Sequence, residues 1–215
     1  MNKLFDGFIF DIDGTLTSTN QLIFDSFNFI TKKYLNRTFT DEEIIGLFGP
    51  TDGEIIKKLF GEKHKEVSED YYKFYSDNHS MADIYPGLKE ILVDLKSNNY
   101  PIGIFTGKGR DSSMITLTKL GVDKYFDLIV TGDDVNNAKP SPEGILKFVN
   151  HFGFDPEKVL MIGDSVSDVI ASKEAGVKIA SALWDSYGEE EVKTLKSDYY
   201  FYSVEELNHF VFNII

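Results

Sequence analysis

At 215 residues, 42% of them hydrophobic, the chain can bury one good core, or one core and a small second module. Its formal charge of −13 repels nucleic acid and anionic membranes, and no apolar run approaches the roughly 20 residues needed to span a bilayer. It has no cysteine, which excludes disulfides and thiolate metal sites and makes a reducing cytoplasm the expected compartment. The apolar residues near the N-terminus are broken by Asp6, Asp11 and Asp13, too short and too charged a stretch for a signal peptide.

Phe8, Ile9 and Phe10 form a continuous apolar run, the pattern of a strand in a parallel sheet covered on both faces. The run gives way to Asp11, Asp13, Gly14 and Thr15, and Gly14 permits a sharp turn there. Two carboxylates thus stand at the carboxyl edge of a strand, where open α/β sheets bind ligands. One acid of such a pair can attack a substrate while the other transfers a proton, and together they can recruit a hard divalent cation. Taken alone, the pair reads equally well as a solvated acidic turn.

From Asn20 to Met81 the pattern is helical throughout. Ile23, Phe27, Ile30 and Tyr34 mark one face of a helix over 22–35. Thr40-Asp-Glu-Glu43 is a capping box ahead of Ile44, Ile45 and Leu47, and Thr51-Asp-Gly-Glu54 repeats it ahead of Ile55, Ile56 and Leu59. An amphipathic stretch covers 67–78. Such a block inside an α/β chain predicts an inserted helical module spanning 17–81, hinged at 17–19 and 80–85.

The α/β pattern then resumes and fills 82–215. Helices are predicted at 88–96, 111–120, 142–152, 168–175 and 204–211. Strands are predicted at 102–105, 128–131, 159–163 and 178–182, with a short edge strand at 199–202. Three strand ends carry polar clusters. At the first, Thr106 and Gly107 precede Lys108, and a hydroxyl with free backbone N–H groups at a strand-to-helix turn makes an anion cradle. Asp111 or Ser112 reads more simply as a helix cap. At the second, Lys139 lies in a loop stiffened by Pro140 and Pro142, a position for a fixed positive charge, while Asp133 and Asp134 read as solvated turn residues. At the third, Gly163 and Asp164 end a strand, and Asp168 falls in the first turn of the next helix, able to face back toward Asp164 or simply to complement the helix dipole. Among the histidines, His64, His151 and His209 read as surface residues, and His79 lies close to a hinge where it could face the cleft.

In combination and in this order, these clusters resemble the four motifs of the haloacid dehalogenase superfamily, specifically its magnesium-dependent phosphatase branch. Asp11, Asp13 and Thr15 match its Asp-x-Asp-x-Thr motif. Thr106 matches the strand-end Ser or Thr, Lys139 the lysine, and Gly163, Asp164 and Asp168 the final acidic motif. The resemblance extends to the subgroup of phosphoglycolate phosphatase, pyrophosphatase and β-phosphoglucomutase, whose helical cap is inserted after the first motif. It implies a Rossmann-like parallel sheet core with an inserted α-helical cap, and a phosphatase acting through an aspartyl-phosphate intermediate.

The roles implied by the resemblance are Asp11 as nucleophile and Asp13 as acid–base. Mg2+ would be held by Asp11 and Asp164, by the Asp13 carbonyl, and by Asp168 directly or through water, with Asp168 also able to orient Lys139. Thr106 and Lys139 would steady the transferring group. Thr15, Gly107 and Lys108 are further expected substrate contacts, and in the cap Phe48 and Thr51. The bound cation, Lys139, Lys108 and Arg110 would together invert the negative field locally. The expected partner is a small phosphorylated metabolite, with the chain a monomer or homodimer.

Departures from the family narrow the choice. Asp13 argues against dehalogenation. Thr17-Ser18-Thr19-Asn20 lacks the aspartate of many phosphoglycolate phosphatases, and Phe48-Gly49-Pro50 looks closer to the pyrophosphatases. The segment 51–54 has no arginine of the mutase type, whereas Lys32, Lys33, Lys57 and Lys58 leave a phosphonatase Schiff base open. The leading expectation is a hydrolase of a small phosphomonoester, phosphoglycolate phosphatase-like. A pyrophosphatase, a sugar-phosphate mutase or a non-catalytic phosphate-binding protein are the alternatives.

Overall fold

The structure is a computed structural model that describes residues 3–186 and 188–214. Six parallel strands form one sheet in the order β3-β2-β1-β4-β5-β6: β1 Gly7–Phe10, β2 Ile102–Phe105, β3 Leu128–Val130, β4 Val159–Gly163, β5 Lys178–Ala182 and β6 Tyr199–Phe201. The central strands are apolar on both sides because both faces are covered. One face packs Phe8, Phe10 and Ile104 under helices α5 (Leu88–Ser97), α6 (Arg110–Lys119) and α10 (Val204–Phe212). The other packs Ile9, Phe105 and Met161 under α7 (Glu143–Phe152) and α8 (Val166–Ala175). The chain winds outward from β1 through β2 to β3, then crosses back to β4 on the other side of β1. A crevice opens at the carboxyl ends of the strands at such a reversal.

Between β1 and β2 lies the helical region: α1 Asn20–Leu35, α2 Asp41–Ile45, α3 Asp52–Phe60 and α4 His64–Asp77. It buries its own cluster, including Phe27, Ile30, Ile56, Tyr71 and Tyr75. Both sequence-predicted capping boxes form, at Thr40–Glu43 and Thr51–Glu54. The two connections to the core run side by side, with Ser18 N–H donating to the Asp83 carbonyl at 2.9 Å and Tyr85 N–H to that of Leu16 at 3.2 Å.

Some elements differ from expectation. Helix α4 begins at His64 rather than 67, since its polar first turn lies outside the apolar face that announces it. A short helix, α9 (Glu189–Thr194), was not expected; Val192 is its buried residue, and its only sequence signal is three glutamates in the first turn. Helix α6 starts from Gly109 with no side-chain cap from Asp111 or Ser112. Among the described residues, no helix is long and apolar enough to cross a membrane.

Candidate active site

The crevice at the sheet's carboxyl edge is a cavity of about 720 Å3 between sheet and cap. Asp11 leaves β1 with its backbone N–H on the Ile162 carbonyl at 2.9 Å, which fixes it beside the end of β4. Its Oδ1 accepts the Ile12 N–H at 2.7 Å, and its Oδ2 lies 3.1 Å from Lys139 Nζ. Lys139, whose peptide to Pro140 is cis, is also 2.6 Å from Asp168 Oδ1. Asp168 is fully buried; its other oxygen accepts the Ser165 N–H at 3.0 Å and the Ser165 hydroxyl at 2.6 Å, closing the capping box of α8. Asp168 therefore reaches the cavity through the lysine it holds. Asp164 lines the cavity and accepts the Thr15 hydroxyl at 2.9 Å.

Asp11, Asp164 and Asp168 each offer an oxygen within 4.8 Å of the others, and among the described residues the cation paired with them is Lys139. Burial pushes the Asp11 carboxyl up to about 6, with Lys139 opposing and Asp168 and Asp13 adding to it. Burial, Asp168 and Asp11 likewise hold Asp164 far above the usual carboxylate range. Such a cluster is short of positive charge, and its hard oxygen donors suit a divalent cation. A divalent metal fits these residues.

Asp13 belongs to a different pair. Its carboxylate lies 3.2 Å, through both oxygens, from Lys108 Nζ, and accepts the Thr19 hydroxyl at the N-cap of α1. Lys108 is 5% exposed and sits over the Tyr75 ring of α4, with its ammonium 4.8 Å from the ring centroid. Burial works against the charge of Lys108, but Asp13, Tyr75 and Asp52 outweigh it and raise its pKa. Thr106, 2% exposed, and Gly107 complete this side of the cavity.

Several expected residues lie elsewhere. The side chain of Asp13 is directed to Lys108 and is not part of the Asp11–Asp164–Asp168 cluster, which leaves its backbone carbonyl, the group expected to face the metal. Thr15 is fully buried beneath Asp164, a support for that acid rather than a cavity wall. Thr51 is 3% exposed and is spent capping α3, whereas Phe48 does line the cavity. Arg110 turns outward to Asp134, with its side chain 46% exposed, and adds nothing to the site's charge. His79 is buried against the Thr116 hydroxyl at 3.2 Å, away from the cavity. Asp133 and Asp134 are turn residues as expected, bonded to the Arg110 backbone and to Thr131.

Sequence reasoning missed the docking of Asp52 on the core. This acid lines the cavity from the cap and docks on the core, accepting the Gly109 N–H at 2.8 Å and the Ser112 hydroxyl at 3.0 Å. Its capping-box position gave a complete local explanation and hid the second role. Thr19 was likewise assigned only to a hinge. Among the described residues no basic side chain of the cap lines the cavity, so Lys32, Lys33, Lys57 and Lys58 are not positioned for a Schiff base.

The model of the haloacid dehalogenase-like hydrolase family matches residues 8–182. Pyrophosphatase PpaX of Bacillus velezensis is 33% identical over 209 residues, 97% of each chain. The PpaX of Bacillus cereus strain B4264 is 33% identical over 192 residues, 89% of each. A crystal structure described as a predicted phosphoglycolate phosphatase from Haemophilus somnus 129PT superposes with a TM-score of 0.86 over 98% of this chain and 99% of that one. At 22% identity, that likeness is one of fold.

Proposed function

The chain belongs to the haloacid dehalogenase-like hydrolases, and within that family we propose that it is a magnesium-dependent phosphatase acting on a small phosphorylated metabolite. Residues 17–81 act as its cap, over a core of 1–16 and 82–215.

Asp11 is the nucleophile. Its carboxylate attacks phosphorus in line, the bond to the leaving oxygen breaks, and an aspartyl-phosphate forms. Asp13 gives its proton to that oxygen, then takes one from the water that hydrolyses the intermediate, freeing phosphate and restoring Asp11. Lys108 and Thr19 support this assignment, since they hold the Asp13 carboxylate outside the Asp11–Asp164–Asp168 cluster. Lys139, Thr106 and the Gly107 backbone N–H steady the phosphoryl oxygens, and Asp168 positions Lys139. Asp11 and Asp164 would hold the magnesium, with Asp168 behind them; when bound, it neutralises charge on the transferring group.

The observation that carries this reading is the division of the site. One buried lysine pairs with Asp11 after β1 and Asp168 of α8, and a second holds Asp13, which lines the same cavity. Release of phosphate from 4-nitrophenyl phosphate with magnesium, lost in Asp11→Asn, is the expected result. No release by the parent protein under any divalent cation would overturn it. Hydrolysis of pyrophosphate is the second reading, favoured by the name of the PpaX relatives, and including pyrophosphate in the same assay weighs the two.

A further inference from the structure

The two walls of the cavity are chemically unlike. The core wall carries every residue of the phosphoryl chemistry. The cap wall is built mainly from Ile23, Phe27, Ile45, Phe48, Ile55 and Tyr71, with Asn20 as a neutral polar side chain, and Asp52 is the one charged residue the cap contributes among the described lining residues. Asp52 Oδ1 is taken by Gly109 and Ser112, and its unpartnered Oδ2 is buried, which leaves the acid poorly suited to receive a cationic group. The cavity's two lysines are both paired with carboxylates of the core, and the further charge it holds, Glu191, is negative.

From this wall, and resting on the phosphatase reading above, we propose that the physiological substrate is a phosphate monoester of an uncharged, largely apolar alcohol, alkyl or aryl. A second phosphoryl group or a carboxylate would be stripped of water against isoleucine and phenylalanine with no counter-charge, a placement that costs affinity. An apolar leaving group gains by the same burial. The cavity volume of about 720 Å3 falls in the range of sites that enclose a whole small organic molecule, far more than a phosphoryl group needs. The selectivity proposed is therefore opposite in sign to that for pyrophosphate.

The test is kcat/KM along the n-alkyl phosphates from methyl to hexyl, beside phosphoglycolate, pyrophosphate and 4-aminobutyl phosphate. Burial of each added methylene should raise kcat/KM about fourfold until the wall is covered. Butyl phosphate should exceed both anionic compounds by about tenfold or more, since two buried methylenes already give that factor. Phe48→Arg, at a position 43% exposed, should narrow the gap by adding a cation to the wall. A flat alkyl series, or preference for phosphoglycolate, pyrophosphate or the aminoalkyl ester, overturns this proposal while leaving the phosphatase reading intact. Absence of Asp11-dependent turnover of every ester, 4-nitrophenyl phosphate included, overturns both.

Discussion

The Asp52 carboxylate, at the first turn of a cap helix, accepts the backbone N–H of Gly109 in the core at 2.8 Å. The bond joins the cap to the loop that carries Thr106, Gly107 and Lys108. A second bridge runs beside it, where Tyr75 of α4 shares a hydrogen bond of 2.7 Å with Thr116 of α6.

Asp52→Ala should therefore loosen the cap. The buried Gly109 N–H and Ser112 hydroxyl lose their acceptor, at a cost of about 1–3 kcal/mol. Denaturant unfolding should record that loss, and hydrogen exchange should quicken in α3 and at the start of α6. Unchanged exchange at both places would show that the contact carries no weight.

Asp11 and Asp13 should separate kinetically. Asp11→Asn should form no covalent intermediate. Asp13→Asn should lower turnover of alkyl esters by about 10²–10⁴-fold, yet form intermediate more readily from aryl esters, whose leaving oxygen needs little protonation. Rapid-quench measurement of the aspartyl-phosphate distinguishes the two variants.

Metal and proton should compete at Asp11. Its folded pKa, about 6, lies above the usual value of 3.8, so between those pH values the folded metal-free protein binds more protons than the unfolded chain. This contribution to stability is present below the lower value and is lost as pH rises through the upper one. A divalent cation needs the ionised acid. The rise in Tm on adding magnesium should accordingly be small at pH 5 and large at pH 7.5, and excess chelator should abolish both that rise and turnover. A Tm shift independent of pH would contradict the assignment of Asp11 to the metal.

Gly14→Ala should harm the site from behind. Gly14 has φ +76°, and a Cβ there would stand 2.6 Å from Asp164 Oδ2. The left-handed backbone alone costs an L-residue about 1–2 kcal/mol, and the clash displaces the acid as well. Magnesium affinity, read by calorimetry, should fall along with stability. Unaltered affinity would mean Asp164 tolerates the shift.

The strand-end clusters were legible because each is local: an apolar run, then a polar residue where the strand ends. Asp11, Thr106, Lys139 and Asp164 could be read that way with nothing known of their neighbours. Thr15, Thr51 and Asp52 could not. Thr15 is explained by a partner 149 residues away, and Asp52 by one 57 residues away in a different layer. Thr51 and Asp52 are adjacent in one capping box, and only the docking of cap on core decides which of them meets the cavity. Arg110 failed for a related reason, since Asp134 claims it from the next loop.

The cap has an apolar core of its own and joins the sheet through two neighbouring segments. Energetic effects of substitutions in that core should thus sum with those in the sheet, except near Asp52 and Tyr75, where the modules touch. Such near-independence lets the wall facing the leaving group drift in shape without disturbing the acids beneath it. Substrate range and chemical step can then diverge separately: a lineage could exchange one alcohol for another by repacking four short helices around an unaltered reaction.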